Sequence, residues 1–364
     1  MVTRTGKPAL PDDPDLKSEL LLWQDSSGPR AVLAENGQPV EQLGTAEPDQ
    51  PAVGDIWLGR VSRIVPALSA VFVEIDDQQD GLLSRDEASP GLREGQPILV
   101  QIHHLMPPGK GHQLTTRLRL AGPFAVWQLD GPPLRRSKLR DLPPDEAEAL
   151  FTEDLARLAG RWQRIDADAT ADGRLPRRLY SRTDWLETVM TTLIRPHTRR
   201  ILVQDGEFFA AVYQRFEQLM PTWLAKLELQ PQSDYSLPFL LGLPDLDRLA
   251  GDRQIWLRDG GRILIEPTET LTAIDVNSGR SLGQRSVADL RLRTNLAAAA
   301  EIARQLRLRR LSGLIVIDFI KMKKEEDRQQ VEALLRQLCR RDRAVCRLGG
   351  FTRLGLFELS RSRL

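Results

Sequence analysis

The stretch TAIDVNSGR, residues 272–280, decides how the second half of this chain folds. Its apolar, β-branched start predicts a buried strand, and Ser278 and Gly279 end that strand. Because side chains alternate between the two faces of a strand, Asp275 and Asn277 are expected on the same side. A carboxylate and a carboxamide on one face at the end of a buried strand indicate a site that faces a ligand.

The residues around this stretch predict a βαβ unit. RILIEP (262–267) and LTAIDV (271–276) predict a hairpin, an amphipathic helix follows, and SGLIVIDF (312–319) predicts a second buried strand that carries Asp318 near its end. A further helix and two closing strands complete the pattern. In open α/β sheets ligands bind at the carboxyl ends of the strands, so Asp275 and Asp318 are expected side by side there.

Two neighbouring carboxylates repel each other unless a cation, a shared proton or solvent relieves them. Mg²⁺ commonly binds one or two protein carboxylates and keeps several waters. The residues therefore predict a Mg²⁺ site at Asp275 and Asp318, with Asn277 as a hydrogen-bonding neighbour. The alternative is that both aspartates cap loops at strand ends, as aspartate often does.

Composition limits the function only loosely. The 364 residues suggest two or three domains. Because 51 Lys+Arg against 50 Asp+Glu give a net charge of only +1, a polyanion would have to bind at local basic patches. One such patch is 285–310, with seven arginines and two acids, which is either a solvated helix face or a phosphate-binding surface. Without an apolar run near 18 residues or an apolar leader, neither a membrane span nor a signal peptide is predicted, and a cytoplasmic location is expected.

Turn residues and hydrophobic periodicity predict the secondary-structure elements of the first half of the chain. Residues 1–18 predict a disordered lead-in, and 19–43 a pair of short strands around SSGP. Five short segments within 54–120 predict a small antiparallel β-barrel. A basic, proline-rich connector at 130–146 precedes a helix, and 184–224 predicts helix, strand and helix.

Several stretches closely resemble the ribonuclease E/G family of bacterial endoribonucleases. They are EPTETLTAIDVNSGRS, TNLAAAAEIARQLRLRRLSGLIVIDFIKM and RDRAVCRLGGFTRLGLFELSRSRL, and DIWLGRVSRIVPALSAVFVEIDDQQDGLLS is similar to the family's RNA-binding insert. The resemblance implies an α+β multidomain fold. Its expected parts are an RNase H-like subdomain (19–50 and 184–250), an inserted OB-type barrel (52–120), a shortened 5′-sensor region or connector (121–183) and a DNase-I-like α/β catalytic subdomain (251–364).

The resemblance also implies an activity, which is Mg²⁺-dependent cleavage of single-stranded RNA to 5′-phosphate and 3′-hydroxyl ends. Asp275 and Asp318 match the family's magnesium-binding aspartates, and Asn277 matches the asparagine that helps to position that site. Phe72 matches an aromatic residue that contacts RNA bases, and Lys110 matches a lysine that contacts the substrate. Taken without the resemblance, Phe72 is more readily explained as a barrel-core aromatic.

The chain departs from the family pattern in four ways. Leu82 stands where the family has an aromatic residue, which predicts weaker base stacking. Lys321 replaces the second acid of IDFIDM and brings a positive charge near the predicted metal. No counterpart of the family's Arg-Thr reader of the 5′-monophosphate is found, so cleavage is expected to differ little between 5′-monophosphate and 5′-hydroxyl RNA. No zinc-linked tetramer is predicted, and a homodimer is left open.

Other functions remain as alternatives. The first is a non-catalytic RNA-binding protein on the same scaffold. A magnesium phosphotransferase acting on small phosphorylated molecules ranks last, because the sequence contains no glycine-rich phosphate loop. A two-histidine ribonuclease fits poorly because the histidines lie away from the aspartate motifs, at His103, His104, His112 and His197. Cys339 and Cys346 are interpreted as buried free thiols.

Overall fold

The structure is a computed structural model. It describes residues 17–44, 51–76, 80–106, 110–136, 139, 142–181, 184–195, 197–231, 233–243, 245–258, 260–279 and 287–362. The lead-in predicted for 1–18 lies outside these ranges except for its last two residues, and Ser18 already begins a strand.

The strands are numbered along the chain. They are β1 (Ser18–Asp25), β2 (Gly28–Glu35), β3 (Gln38–Leu43), β4 (Ile56–Val65), β5 (Ala70–Glu74), β6 (Asp80–Ser84), β7 (Pro97–His104), β8 (Gln113–Thr115), β9 (Arg119–Ala121), β10 (Ala125–Gln128), β11 (Leu134–Arg135), β12 (Arg177–Tyr180), β13 (Thr198–Gln204), β14 (Leu227–Gln230), β15 (Gln254–Trp256), β16 (Arg262–Pro267), β17 (Leu271–Asn277), β18 (Gly313–Asp318), β19 (Cys346–Phe351) and β20 (Phe357–Arg361). The α-helices are α1 (Pro144–Thr170), α2 (Trp185–Thr192), α3 (Gly206–Leu219), α4 (Leu237–Leu240), α5 (Leu246–Gly251), α6 (Val287–Leu308) and α7 (Glu325–Cys339).

The first sheet has the strand order β3-β2-β1-β13-β14. Its first three strands form an antiparallel meander, and β1, β13 and β14 run parallel. The pair of strands predicted for 19–43 was incomplete, because the chain turns again at Asn36 and Gly37, both with positive φ, and adds β3. Alternate residues of β1 pack into two hydrophobic cores, one on each face of this sheet, and helices contribute to both cores.

The barrel predicted between 54 and 120 is confirmed as a closed five-stranded barrel. Its order is β4-β5-β6-β8-β7, and β4 pairs with β7 to close it. The prediction that it is antiparallel was wrong at one place, since β6 and β8 run parallel. Its core is a tight set of branched side chains that includes Val61, Val71, Val73, Val100 and Ile102. β12 adds to the outside of β4.

The segment between the barrel and α1 is more than a connector. β9, β10 and β11 form a small sheet beside α1. Asp154 of α1 accepts hydrogen bonds from the backbone N–H groups of Phe124 and Ala125 at 2.8 and 2.7 Å, which holds that sheet to the helix. The helix predicted there is confirmed as α1.

The second sheet has the order β15-β16-β17-β18-β20-β19. β17 and β18 run parallel and are joined through α6, whereas the other neighbours are antiparallel. One face is buried against α6 and α7 by a core that includes Ile263, Ile274, Ile315, Ala299, Ile302, Val331 and Leu335. The opposite face is half-buried or exposed along β16, β17 and β18. This open face carries the predicted metal residues.

The α+β class with a barrel is therefore confirmed, whereas the RNase H-like and DNase-I-like subdomain assignments and their boundaries stay predictions. In the ranges given above, no helix combines the length and apolar character needed to cross a bilayer. Cys339 is buried and Cys346 half-buried, and both are free thiols as predicted.

Candidate functional site

The site centres on Asp275 and Asp318, which are directly paired across β17 and β18. These strands are parallel neighbours, so both carboxylates lie at the carboxyl edge of the sheet and on its open face. Asp275 is half-buried and Asp318 is exposed. The sequence predicted this proximity, because two strands joined by a single helical crossover are usually neighbours.

Asn277 touches Asp275 directly. Its side-chain Nδ2 donates a hydrogen bond to Asp275 Oδ2, so the amide orients one carboxylate of the pair. The following loop packs closely on the turn between β15 and β16, since a Cβ added to Gly279 would lie 1.9 Å from the carbonyl oxygen of Gly260. Only glycine fits this approach, and the contact fixes the end of β17 against the neighbouring hairpin.

A second asparagine, which sequence reasoning missed, secures the segment after Asp318. Asn295 of α6 is fully buried, its Nδ2 donates to the carbonyl oxygen of Ile320 at 2.7 Å, and its Oδ1 accepts from the Ile320 N–H at 3.0 Å. Both backbone polar groups of Ile320, two residues beyond the aspartate, are thereby hydrogen-bonded to one side chain. The available signal was an asparagine on the otherwise apolar face of a helix. Lys321 comes next in the chain and is exposed.

The pair offers carboxylate oxygens, which are the ligands that Mg²⁺ prefers. In the described part of the chain no group of three or more His, Cys, Asp or Glu side chains is arranged to hold a metal. A donor set of two carboxylates completed by water is the usual arrangement for Mg²⁺, whereas Zn²⁺ sites need three or four protein ligands. The residues present therefore fit Mg²⁺.

The residues predicted to bind RNA lie on the barrel, on a different sheet from the aspartates. Phe72 is half-buried between the fully buried Val71 and Val73, so its ring lies outside the barrel core, contrary to the barrel-core interpretation. The Arg63 guanidinium lies 4.8 Å from the Phe72 ring centroid. Leu82 is paired with Phe72 on the next strand and extends the same outer surface.

Lys110 is exposed shortly before β8, and the loop residues 107–109 that precede it lie outside the described residues. Gly111 next to it approaches β6 so closely that a Cβ would lie 2.4 Å from the carbonyl oxygen of Asp80. Lys110 is thus held at the start of β6, on whose outer surface Leu82 neighbours Phe72. The structure thus places Phe72 on β5 and Lys110 beside the start of the neighbouring strand β6, on the same barrel.

From the sequence, the arginines of 285–310 were either a solvated helix face or a phosphate-binding surface. Arg285 lies outside the described residues, but the four arginines at the end of the segment form intramolecular contacts rather than a free cationic surface. Arg304 donates to the carbonyl oxygen of Pro39, Arg309 to those of Leu249 and Asp252, and Arg310 to that of Gln42. Arg307 is buried between Glu35 and Glu41, with closest distances of 2.9 Å to each.

The histidines lie outside the second sheet, which carries the aspartate pair. His103 and His104 are exposed at the end of β7, and His112 is buried just before β8. Burial lowers the pKa of His112, against the attraction of Asp76, which raises it. His197 is exposed ahead of β13. This placement gives no support to a two-histidine mechanism.

Comparison with known proteins yields one family and several relatives. The model of the "Ribonuclease E/G family" matches residues 139–364. Ribonuclease E of Haemophilus influenzae is 29% identical over 378 residues, covering 92% of this chain and 40% of the relative. Ribonuclease G of Salmonella typhimurium is 28% identical and that of Escherichia coli K12 is 27% identical, each covering 96% of this chain and 80% of the relative. The chain thus spans less than half of the ribonuclease E relative and four-fifths of the ribonuclease G relatives.

Proposed function

Because this chain belongs to the ribonuclease E/G family, we propose that it is a Mg²⁺-dependent endoribonuclease that cuts single-stranded RNA in RNA processing or decay. The observation that carries the proposal is the direct pairing of Asp275 and Asp318 on the open face of the second sheet. Two carboxylates held this close and left accessible are suited to a divalent cation and a phosphodiester.

When bound, Mg²⁺ would supply Lewis-acid activation of the phosphodiester and of the attacking water, for hydrolysis to 5′-phosphate and 3′-hydroxyl ends. Asp275 and Asp318 would hold it. Asn277 keeps the Asp275 carboxylate in one orientation through its hydrogen bond. Asn295 fixes the backbone beyond Asp318, so the two carboxylates are preorganised by separate amides.

The barrel would hold the unpaired strand. Phe72 offers a ring on the outer surface for base stacking, and Lys110 offers a cation for the phosphates. The strand order of the first sheet supports the assignment of an RNase H-like subdomain, because an antiparallel meander followed by two parallel strands is the arrangement of RNase H-like folds. The second sheet would then be the DNase-I-like subdomain.

The test uses the full chain and an A/U-rich, 5′-hydroxyl RNA oligonucleotide, with and without Mg²⁺. Wild type is expected to cut only with the metal. Asp275→Asn and Asp318→Asn are each expected to lose at least about 100-fold in rate, because the metal contributes several kcal/mol and about 1.4 kcal/mol is tenfold. Mn²⁺ binding, followed by electron paramagnetic resonance, is expected to weaken in both variants.

The matched control is Asp234→Asn, an exposed aspartate in the loop after β14, which is expected to behave as wild type. End analysis of the products completes the test. Products with 2′,3′-cyclic phosphate ends, or full activity in both aspartate variants, would rule out the proposed mechanism. RNA binding without metal-dependent cutting would instead favour the non-catalytic RNA-binding alternative.

A further inference from the structure

Trp256 is an unusually exposed tryptophan on the catalytic sheet. It ends β15, at the edge of the sheet, with 65% of its surface exposed. Tryptophan is normally well buried on average, so an indole left in solvent on a regular strand indicates a contact surface. The Arg262 guanidinium lies 6.0 Å from the centre of the indole, and Arg258 is exposed in the turn that follows.

Strand register places this indole in line with the candidate active site. Trp256 is paired with Arg262, and Arg262 is paired with Asn277, which contacts Asp275. Directly paired residues of neighbouring strands share a face, so these side chains and the aspartate pair occupy the same open face. Two strand spacings separate Trp256 from Asn277, which is roughly 10 Å between their backbones.

The hairpin that carries Trp256 is held firmly relative to the aspartates. The Leu257 N–H donates to the carbonyl oxygen of Gly261 at 2.7 Å, closing the turn. The close approach of Gly260 to Gly279 ties the same turn to the loop after Asn277. A ligand group bound by Trp256 would therefore have a fixed position relative to the cleaved bond.

We propose that Trp256 and Arg262 form a nucleotide-binding subsite beside the aspartate pair. The indole stacks on the base of a nucleotide next to the scissile one, and Arg262 contacts its phosphate. This inference rests on the proposed function and deepens it by assigning a second contact to the RNA, separate from the barrel. Stacking on a flat ring accepts any base, so the subsite adds affinity and registers the strand without selecting a sequence.

The surroundings favour RNA over a protein partner. Arg262 and Asn277 are in line with the indole, and the next row of the same face holds Leu264, Asp275 and Asp318. With a single apolar side chain among these neighbours, Trp256 is not surrounded by a contiguous apolar patch of the kind that binds proteins. The other end of the same strand pair is neutralised, because Arg253 forms a 2.7 Å ion pair with Glu266. Exposed positive charge therefore collects at Arg258 and Arg262, near the site.

The first test measures RNA affinity by fluorescence anisotropy in EDTA, so that no cutting occurs. Trp256→Ala is expected to weaken binding of the A/U-rich oligonucleotide about 10-fold, while Trp256→Phe retains most of the affinity because it keeps a ring. Arg262→Ala is expected to make the slope of log K against log[salt] shallower by about 0.7, which corresponds to the loss of one phosphate contact on single-stranded RNA. Phe239→Ala, which removes an equally exposed aromatic from α4, is the control and is expected to bind as wild type.

The second test locates the contact by placing one abasic nucleotide at successive positions of the oligonucleotide. For wild type, an abasic residue one or two positions from the cleaved bond is expected to weaken binding about 10-fold. In Trp256→Ala the same abasic residue is expected to have no further effect, because the stacking partner is already missing. Equal abasic penalties in wild type and Trp256→Ala at every position would overturn the subsite.

The outcomes separate this inference from the proposed function. If wild type cuts RNA with Mg²⁺ but Trp256→Ala and wild type bind RNA equally, the subsite fails and the endoribonuclease assignment stands. If wild type neither binds nor cuts RNA, the proposed function is overturned, and the subsite that rests on it is overturned with it. Loss of self-association in Trp256→Ala with unchanged RNA affinity would assign the indole to a protein contact and also overturn the subsite.

Discussion

Replacing Glu41 with glutamine is expected to loosen the junction between the two sheets. Glu41 lies on β3 and is only 4% exposed. Its carboxylate accepts hydrogen bonds from Arg195 at 2.6 Å, from Arg307 of α6 at 2.9 Å and from Arg343 after α7 at 2.9 Å. One acidic group therefore ties the first sheet to α6 and to the segment that follows α7, both of which belong to the second sheet's half.

The size of the effect follows from the pKa of Glu41. Burial raises this pKa, but attraction to Arg195, Arg307 and Arg343 outweighs burial and lowers it from 4.5 to about 2. At 1.36 kcal/mol per unit, the folded state gains about 3 kcal/mol from the ionised carboxylate. Removing one partner of a buried ion pair typically costs 3–5 kcal/mol, so Glu41→Gln is expected to lower the free energy of unfolding by about 3 kcal/mol or more.

Urea unfolding, followed by far-UV circular dichroism and tryptophan fluorescence, measures this loss. Because the folded pKa is depressed, the contribution of Glu41 is complete above pH 4.5 and disappears as the pH falls towards 2, so the difference between wild type and Glu41→Gln should shrink over that interval. Glu148→Gln is the matched control: its ion pair with Arg135 is 61% and 47% exposed, and it should lose less than about 1 kcal/mol. Equal stabilities of the two variants, or a Glu41→Gln deficit that stays constant between pH 4.5 and 2.5, would refute the reasoning.

Two further substitutions test the site. Phe72→Ala is expected to weaken binding of unpaired RNA about 5-fold or more in EDTA, because loss of one stacking ring costs about 1–3 kcal/mol; an affinity equal to that of Tyr213→Ala, an exposed aromatic on α3, would contradict a stacking role. Asn295→Ala leaves the N–H and C=O of Ile320 unpaired and is expected to weaken Mn²⁺ binding about 10-fold, measured by electron paramagnetic resonance. Unchanged Mn²⁺ affinity in Asn295→Ala would show that other contacts position the loop.

The aspartate pair could be predicted from sequence because local rules determine it. β17 and β18 are strongly apolar, one helix joins them, and each carries an aspartate at its carboxyl end. Hydrophobic period, crossover length and the tendency of such strands to be neighbours were enough. The turn that adds β3 also has a local signal, since Asn36-Gly37 is a dipeptide that strongly favours a hairpin.

The features that sequence reasoning missed depend on contacts between distant residues. Arg307 and Glu41 are 266 residues apart. Helical spacing shows which face of α6 carries Arg307, but it does not show which element packs against that face. Trp256 belongs to a strand of three residues, too short for a periodic pattern, and its relation to Asn277 appears only through the register of two strand pairs. A residue's type can be read from sequence, whereas its partner requires the fold.

Helix α6 connects these two kinds of feature. Its C-terminal turns are held by Glu35 and Glu41 through Arg307, and its first half holds Ile320 through Asn295. Twelve residues separate Asn295 from Arg307, which is about 18 Å along a helix. Because a helix transmits displacement as a stiff element, the intramolecular contacts of Arg307 also help to position the loop after Asp318. Under conditions in which it remains folded, Glu41→Gln should therefore weaken Mn²⁺ binding at the aspartate pair, whereas Glu148→Gln should leave it unchanged.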